Sequence, residues 1–299
     1  MLFLYLTHID ATDLSNSHTG LGNVLFQLAS QYCISKIYNI QTNYYYLYEF
    51  IKKIENYGLN NYDTTIFRNI ASNNIKPIID ITLHETKCHY YDKQLISDII
   101  KYKNKNIVIK DSYLQSINYF NEYEKDIQKL FSPDKTSIEL IYNKYPELKK
   151  DNVINVSIHL RLEWGNQIKY KVDYFKNSIE YIENKLNNVN TIINYFVFSD
   201  NIHKAKNMLS SLDKTFIYCE NNYDYIDIWI MSLCHHNIIS HSTFGWWGAY
   251  LNKNKDKCVL YPSFTSYFYS KITRAPEKII QDNYLPNNWI SIHSNSISR

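Results

Sequence analysis

Ser240, Ser242 and Thr243 stand where an apolar run gives way to a tryptophan-rich segment, in the stretch HHNIISHSTFGWWGAYLN at 235–252. Such a junction suits an anionic ligand. Ile238 and Ile239 read as a buried strand, and Ser242 or Thr243 as the cap of a helix carrying Phe244, Trp246, Trp247, Tyr250 and Leu251. Free N–H groups at a helix start carry a partial positive charge, and phosphate oxygens bind there. The alternative is a capped core helix with no ligand. Arg161 follows His159 by two residues at the end of VINVSIHL, and a guanidinium grips phosphate through paired, charge-assisted hydrogen bonds. Its alternative is an ordinary ion pair. Ser199 and Asp200 close a further apolar run, YFVF. Glu163, Asp10 and Asp13 are carboxylates able to take up a proton, though each also reads as a solvated loop charge. His235 and His236 are adjacent, so on a helix they point apart rather than toward one metal. They are expected to end the helix DYIDIWIMSLCHH and favour its negative terminus. The chain contains no Asp-x-Asp, the carboxylate pair that would hold a metal against a diphosphate, so metal-independent chemistry without a cofactor is expected.

These residues need elements to position them. Residues 153–160 and 195–198 are β-branched or aromatic runs that end at Arg161 and Ser199, and helical stripes follow each. The first stripe is Phe175, Ile179, Ile182 and Leu186; the second is Ile202, Ala205 and Leu209. Strands alternating with helices imply a parallel α/β sheet, whose ligands sit outside the carboxyl ends of the strands. His159, Arg161, Asp200, Ser240, Ser242 and Thr243 are thereby expected on one rim. Near the N-terminus, LFLYL reads as a first strand, too short to cross a bilayer and not followed by a cleavable-signal pattern. After a polar loop, Gly20 and Gly22 permit a tight turn or close backbone approach before a helix striped by Leu21, Leu25, Leu28 and Tyr32. Position 25 is Leu, so this is not the dinucleotide fingerprint.

Composition is that of a globular enzyme, with 45% hydrophobic and 20% charged residues, and 299 residues leave room for two domains. A net charge of +3 is too small to argue for nucleic acid. Five irregularly spaced cysteines without a C-x-x-C point to reduced thiols and a cytoplasmic protein, free or peripheral at a membrane. The sequon at Asn155 lies in an expected core strand. An aromatic content of 16% leaves open a non-catalytic protein that stacks rings on sugars or bases, although Tyr is spread along the whole chain. NKYPELKKDN, 143–152, is the expected domain boundary, because it is charged, contains Pro and precedes a strong strand.

Four motifs in order resemble glycosyltransferase family 11, the α-1,2-fucosyltransferases that use GDP-L-fucose. HTGLGNVLFQLA is similar to that family's G-G-L-G-N-Q-L-F-Q-Y-A, SIHLRLEWG to its H-x-R-R-G-D block, FVFSDN to its F-S-D-D block, and HSTFGWWGA to its S-S-F-S-W-W-G-A block. Weaker echoes are DSYLQSINYF, DYFKNSIEYI and YLPNNWISI, while residues 40–105 carry no recognised motif. The chain departs from the pattern at Thr19, Val24, Leu162, Glu163, Trp164, Asn201 and Gly245. The resemblance implies an α/β, GT-B-like fold of two Rossmann-like domains facing a cleft. Residues 1–148 would be acceptor-side, 149–282 would hold the donor, and 283–299 would return to the first domain. It implies a donor pocket of Gly20, Gly22, Asn23, His159, Arg161, Ser199, Asp200, Ser240, Ser242, Thr243 and Phe244, with Arg161 on the pyrophosphate. The reaction implied is inverting transfer of L-fucose from GDP-fucose to a galactose-type hydroxyl in α-1,2 linkage. Partners would be a nucleotide sugar and a glycan acceptor. Glu163, one residue before the position of the family's Asp, would be the first candidate for the base that takes the acceptor proton, with Asp10 and Asp13 behind it, and loss of the R-G-D acid leaves a different nucleotide sugar as the alternative.

Overall fold

A computed structural model describes residues 1–6, 20–55, 62–87, 89–163, 172–186, 192–263 and 282–293. The described residues divide into two compact units, the first comprising Met1–Ser132 with 282–286 and the second running from Pro133 and including 287–293. Both are α/β with wholly parallel sheets, as the resemblance implies for Rossmann-like halves.

In the first unit, β1 (Leu2–Leu4), β2 (Ile81–His84) and β3 (Ile107–Lys110) form a sheet in the order β1-β3-β2. Parallel neighbours need crossovers. These are α1 (Leu21–Ile37) and α2 (Tyr45–Glu55) before β2, and α3 (Lys93–Lys101) before β3; α4 (Glu124–Phe131) closes the unit. Central β3 buries Ile107, Val108 and Ile109 completely, whereas edge strand β2 alternates in burial. α1 is buried well beyond the expected stripe of Leu21, Leu25 and Leu28, with Val24, Phe26 and Ala29 also inside. Its polar residues are inside too: Gln27 donates to the Ser112 carbonyl at 2.8 Å, and Gln31 to Thr42 Oγ1 at 2.7 Å.

The second unit begins with α5 (Lys135–Lys144) and carries β4 (Val153–Leu160), α6 (Val172–Lys185), β5 (Ile192–Ser199), α7 (Ile202–Leu209), β6 (Phe216–Tyr218), α8 (Asp224–Leu233), β7 (His236–Ile238), α9 (Thr243–Tyr250), β8 (Val259–Pro262) and β9 (Ile290–Ile292). Its sheet runs β6-β5-β4-β7-β8-β9, so the chain winds outward from β4 in one direction and then restarts beside β4 in the other. The reversal between β4 and β7 opens a crevice at their carboxyl ends. Phe175, Ile179, Ile182, Ala205 and Leu209 pack onto the sheet as their spacing predicts, and Leu186 reaches the same core from just beyond α6.

Three expectations are corrected. The division falls after Ser132, not at 148, because the 143–152 stretch is a surface turn of the second unit: Leu148 is buried, the Tyr145 ring meets Phe196 at 6.2 Å, and Lys144 donates to the Glu220 and Asn221 carbonyls. The segment from 283 onward is divided. Asn283 accepts from Tyr91 N–H at 3.1 Å within the first unit, while Ile290–Ile292 extends the second unit's sheet. Finally, His235 and His236 do not end α8, which stops at Leu233. Each imidazole accepts a backbone N–H through Nδ1, His235 from Asn155 and His236 from Cys258, so they brace neighbouring strands.

Candidate functional site

The carboxyl ends of β4 and β5 and the β7–α9 junction build one rim in the second unit. His159, on the last turn-free stretch of β4, is buried, and its Nδ1 lies 2.9 Å from Ser240 Oγ. Burial pushes the imidazole down to about 4, so the ring is neutral near pH 7. Ser240 Oγ also accepts the Arg161 N–H at 3.2 Å, tying the end of β4 to the segment that leads into α9. Tyr174, from α6, donates its hydroxyl to the Ile239 and Leu260 carbonyls at 2.7 and 3.1 Å and fixes the same junction from the other side.

Ser242 caps α9, its Oγ accepting from Phe244 N–H at 3.3 Å, and Thr243 opens the helix. Trp246, Trp247, Gly248, Ala249 and Tyr250 are buried, so the helix is held from all sides. Gly245 is spatially required: a Cβ there would stand 2.7 Å from His159 Nδ1. An amide network locks the far end. Asn237 donates to Ser157 Oγ at 2.7 Å and to the Met231 carbonyl at 2.8 Å, while Asn252 donates to Asn237 Oδ1 and to the Cys234 carbonyl, both at 2.8 Å. Buried amides satisfied in this way fix a register, since any slip strands a polar group.

Arg161 is 40% exposed at its side chain and pairs with Asp200 Oδ2 at 3.4 Å. Asp200 accepts from Leu162 N–H at 2.7 Å and from Glu163 N–H at 3.0 Å, so both carboxylate oxygens hold the segment after β4. Asp200 thereby positions the segment after β4, with Ser199 Oγ accepting from Asn201 N–H beside it. Glu163 is engaged by partners as well. Its Oε1 accepts from Asn201 Nδ2 at 2.6 Å and Lys204 Nζ at 2.7 Å, and these bonds hold its carboxylate below the usual range, which makes it a weaker base. Sequence reasoning missed Lys204 and Tyr174 because each acts through a partner distant in the chain.

Gly20, Gly22 and Asn23 lie in the first unit at the start of α1. Gly20 has φ −58°, and a Cβ there meets nothing within 4 Å among the described residues. Asn23 Oδ1 accepts from Gln115 Nε2 at 2.8 Å. Phe244 sits half-buried beside the His159 ring, 5.5 Å between centroids. Asp10, Asp13 and Trp164 fall outside the described residues. Among the described residues no group of three or more His, Cys, Asp or Glu is arranged to hold a metal ion, and no helix is long and apolar enough to cross a membrane.

The chemistry open to the second-unit rim is anion binding: backbone N–H groups at a capped helix start, hydroxyls, and a partly exposed guanidinium oriented by a carboxylate. A model described as glycosyl transferase family 11 matches residues 19–293. An O-antigen biosynthesis glycosyltransferase of Escherichia coli, WbnK, is 30% identical over 165 residues, which take in 50% of this chain and 53% of that protein. The chain thus spans about half the length of that relative. An α-1,2-colitosyltransferase of Escherichia coli is 28% identical over 264 residues, covering 79% of this chain and 86% of that one. Among solved structures, a mutant of Arabidopsis thaliana FUT1 in complex with GDP has a TM-score of 0.48 at 16% identity, covering 82% of this chain and 69% of that chain. The fucosyltransferase NodZ from Bradyrhizobium gives 0.46 at 12% identity, with 77% and 89% covered.

Proposed function

The chain belongs to glycosyl transferase family 11, and from that premise we propose that it moves L-fucose from GDP-fucose to a hydroxyl of a galactose-type acceptor, with inversion, forming an α-1,2 linkage. The observation that carries the proposal is the joining of Arg161 to the α9 start through Ser240, at the reversal of strand order. Breaking the sugar–phosphate bond builds negative charge on the β-phosphate, and preorganised donors stabilise that charge without waiting for water to reorient. Arg161 is the donor best suited to it. Its partner Asp200 fixes the guanidinium and, through Leu162 and Glu163 N–H groups, the segment that carries it. Ser242 and the first N–H groups of α9 supply further donors. His159 stays neutral and spaces α9 through its packing on Gly245.

The chain has no Asp-x-Asp, so the proposed reaction uses the guanidinium and helix start in place of a divalent metal. Incubation with GDP-fucose and lactose, read by mass spectrometry, tests the reading. A product one deoxyhexose heavier than lactose supports it; no transfer from GDP-fucose to any galactose-terminated acceptor contradicts it. The similarity to an α-1,2-colitosyltransferase favours a second reading, in which the same site handles a different sugar. Leu162, Glu163 and Trp164, where the family has Arg, Gly and Asp, are the substitutions that would accompany such a change.

A further inference from the structure

Ile75 and Ile78 are the most exposed large apolar side chains among the described residues, at 70% and 82%, and both stand in the loop SNNIKPIID that leads into the edge strand β2. Single exposed isoleucines are ordinary, but two within one short loop form a patch. The loop is braced rather than slack. Pro77 fixes φ between the two isoleucines, and the Ile75 N–H donates to Asn73 Oδ1 at 2.6 Å. At its far end Asp80 clasps Asn106, donating its N–H to the Asn106 carbonyl at 2.9 Å and accepting the Asn106 N–H through Oδ2 at 2.8 Å.

That clasp sets the turn between α3 and β3 beside the loop, at the amino end of the first unit's sheet. The turn is strongly basic. Lys101, Lys103 and Lys105 are all exposed, Lys76 adds a further exposed ammonium between the isoleucines, and Ile100 at the end of α3 is itself 41% exposed. Backbone bonds hold the turn in shape, from Lys103 N–H to the Ile100 carbonyl at 3.3 Å and from Lys105 N–H to the Tyr102 carbonyl at 2.8 Å. The acidic residues on these two segments are Asp80 and, one turn back on α3, Asp98. Each is already engaged, Asp80 by Asn106 and Asp98 by Gln94 Nε2 at 3.1 Å. Lysines are therefore in excess around the exposed isoleucines.

Isoleucines set among lysines match one kind of surface. Apolar tips enter the boundary between lipid headgroups and acyl chains, while ammonium groups meet the anionic headgroups. Nucleic acid would engage the lysines and leave the isoleucines idle. A second copy in a twofold contact would set the same lysines against each other. We propose that this amino-end patch of the first unit docks the protein on the surface of an anionic phospholipid bilayer.

Cosedimentation of the full chain with vesicles of phosphatidylcholine alone, and of equal parts phosphatidylcholine and phosphatidylglycerol, tests it. The chain should pellet with the mixed vesicles and stay in solution with the neutral ones, and added salt should weaken the binding. Replacing Lys101, Lys103 and Lys105 together by Gln should lower the partition roughly 100-fold, and Ile75→Ser with Ile78→Ser about tenfold or more. All five positions are on the surface, so both variants should melt like the parent. Equal pelleting with neutral and mixed vesicles, or none with either, overturns the proposal. So does mixed-vesicle binding that either variant leaves unchanged. Analytical ultracentrifugation without lipid is expected to show the same oligomeric state for the parent and the Ser variant; an assembly that the Ser variant dissociates assigns the patch to a second copy and overturns the proposal.

Discussion

Arg161 is restrained at its backbone by Ser240 and at its guanidinium by Asp200. With its side chain 40% exposed, that ion pair is worth at most about 1 kcal/mol to folding. A stability role is too small to hide a catalytic one. Arg161→Lys should therefore melt close to the parent yet lose roughly 100 to 1000-fold in turnover, since an ammonium cannot present two N–H groups in a fixed fork. Normal melting with turnover within a few-fold of the parent would remove Arg161 from the phosphate. Glu85, whose Oε2 accepts from the Tyr113 and Leu114 N–H groups, makes a separate forecast. Burial raises its folded value from 4.5 to about 8. Its stabilising contribution is therefore complete below the unfolded value and is lost as pH rises through the folded one. Between about pH 4.5 and 8 the parent should lose melting temperature relative to Glu85→Gln. Comparing the two chains removes the similar contribution of Asp227, raised to about 7 by burial, which both share; parallel melting curves would contradict it. Arg161, His159 and Ser240 were legible in the sequence because each ends an apolar run. Glu85 was not, because it follows a four-residue edge strand with alternating burial and belongs to no motif that spacing exposes.

α9 works as a rigid element whose start is aimed by its packing. His159 presses on it at Gly245, Met231 at Gly248, and Asn252 and Asn237 fix its far end. Gly245→Ala would bring a methyl group to 2.7 Å from a buried ring nitrogen. Overpacking of this sort costs about 1 to 3 kcal/mol. A lower melting temperature and weaker nucleotide binding are expected together, by thermal shift and calorimetry. A variant that melts and binds like the parent would show that α9's position is not set at this contact. Strand-like runs and helical stripes announced β4, β5, α6 and α7, since their periodicity matches the face each one buries. Periodicity misread two other places. α1 is covered all round, so no single stripe describes it, and the His235–His236 pair looked like a helix end because side chains that accept strand N–H groups leave no local pattern.

At the scale of the molecule, two parallel-sheet units present different chemistry: a guanidinium and a capped helix start at the carboxyl rim of one, exposed isoleucines among lysines at the amino end of the other. The alternation of strands and helices made the α/β class legible, but the boundary was not. A Pro-containing charged turn reads like a linker whether or not Leu148 buries beneath it. Because the proposed leaving-group stabilisation comes from side chains and backbone, turnover should persist in EDTA; activity abolished by chelation and restored by magnesium or manganese would contradict that. The central claim is that the second unit holds a guanosine diphosphate sugar through Arg161. Calorimetric titration of the parent and of Arg161→Lys with GDP, UDP and CDP tests it most directly. The account predicts that GDP binds the parent about tenfold or more tighter than UDP or CDP, a difference of at least ~1.4 kcal/mol, and that the Lys variant loses a comparable factor. UDP or CDP binding as tightly as GDP, or GDP binding untouched by the substitution, would contradict it.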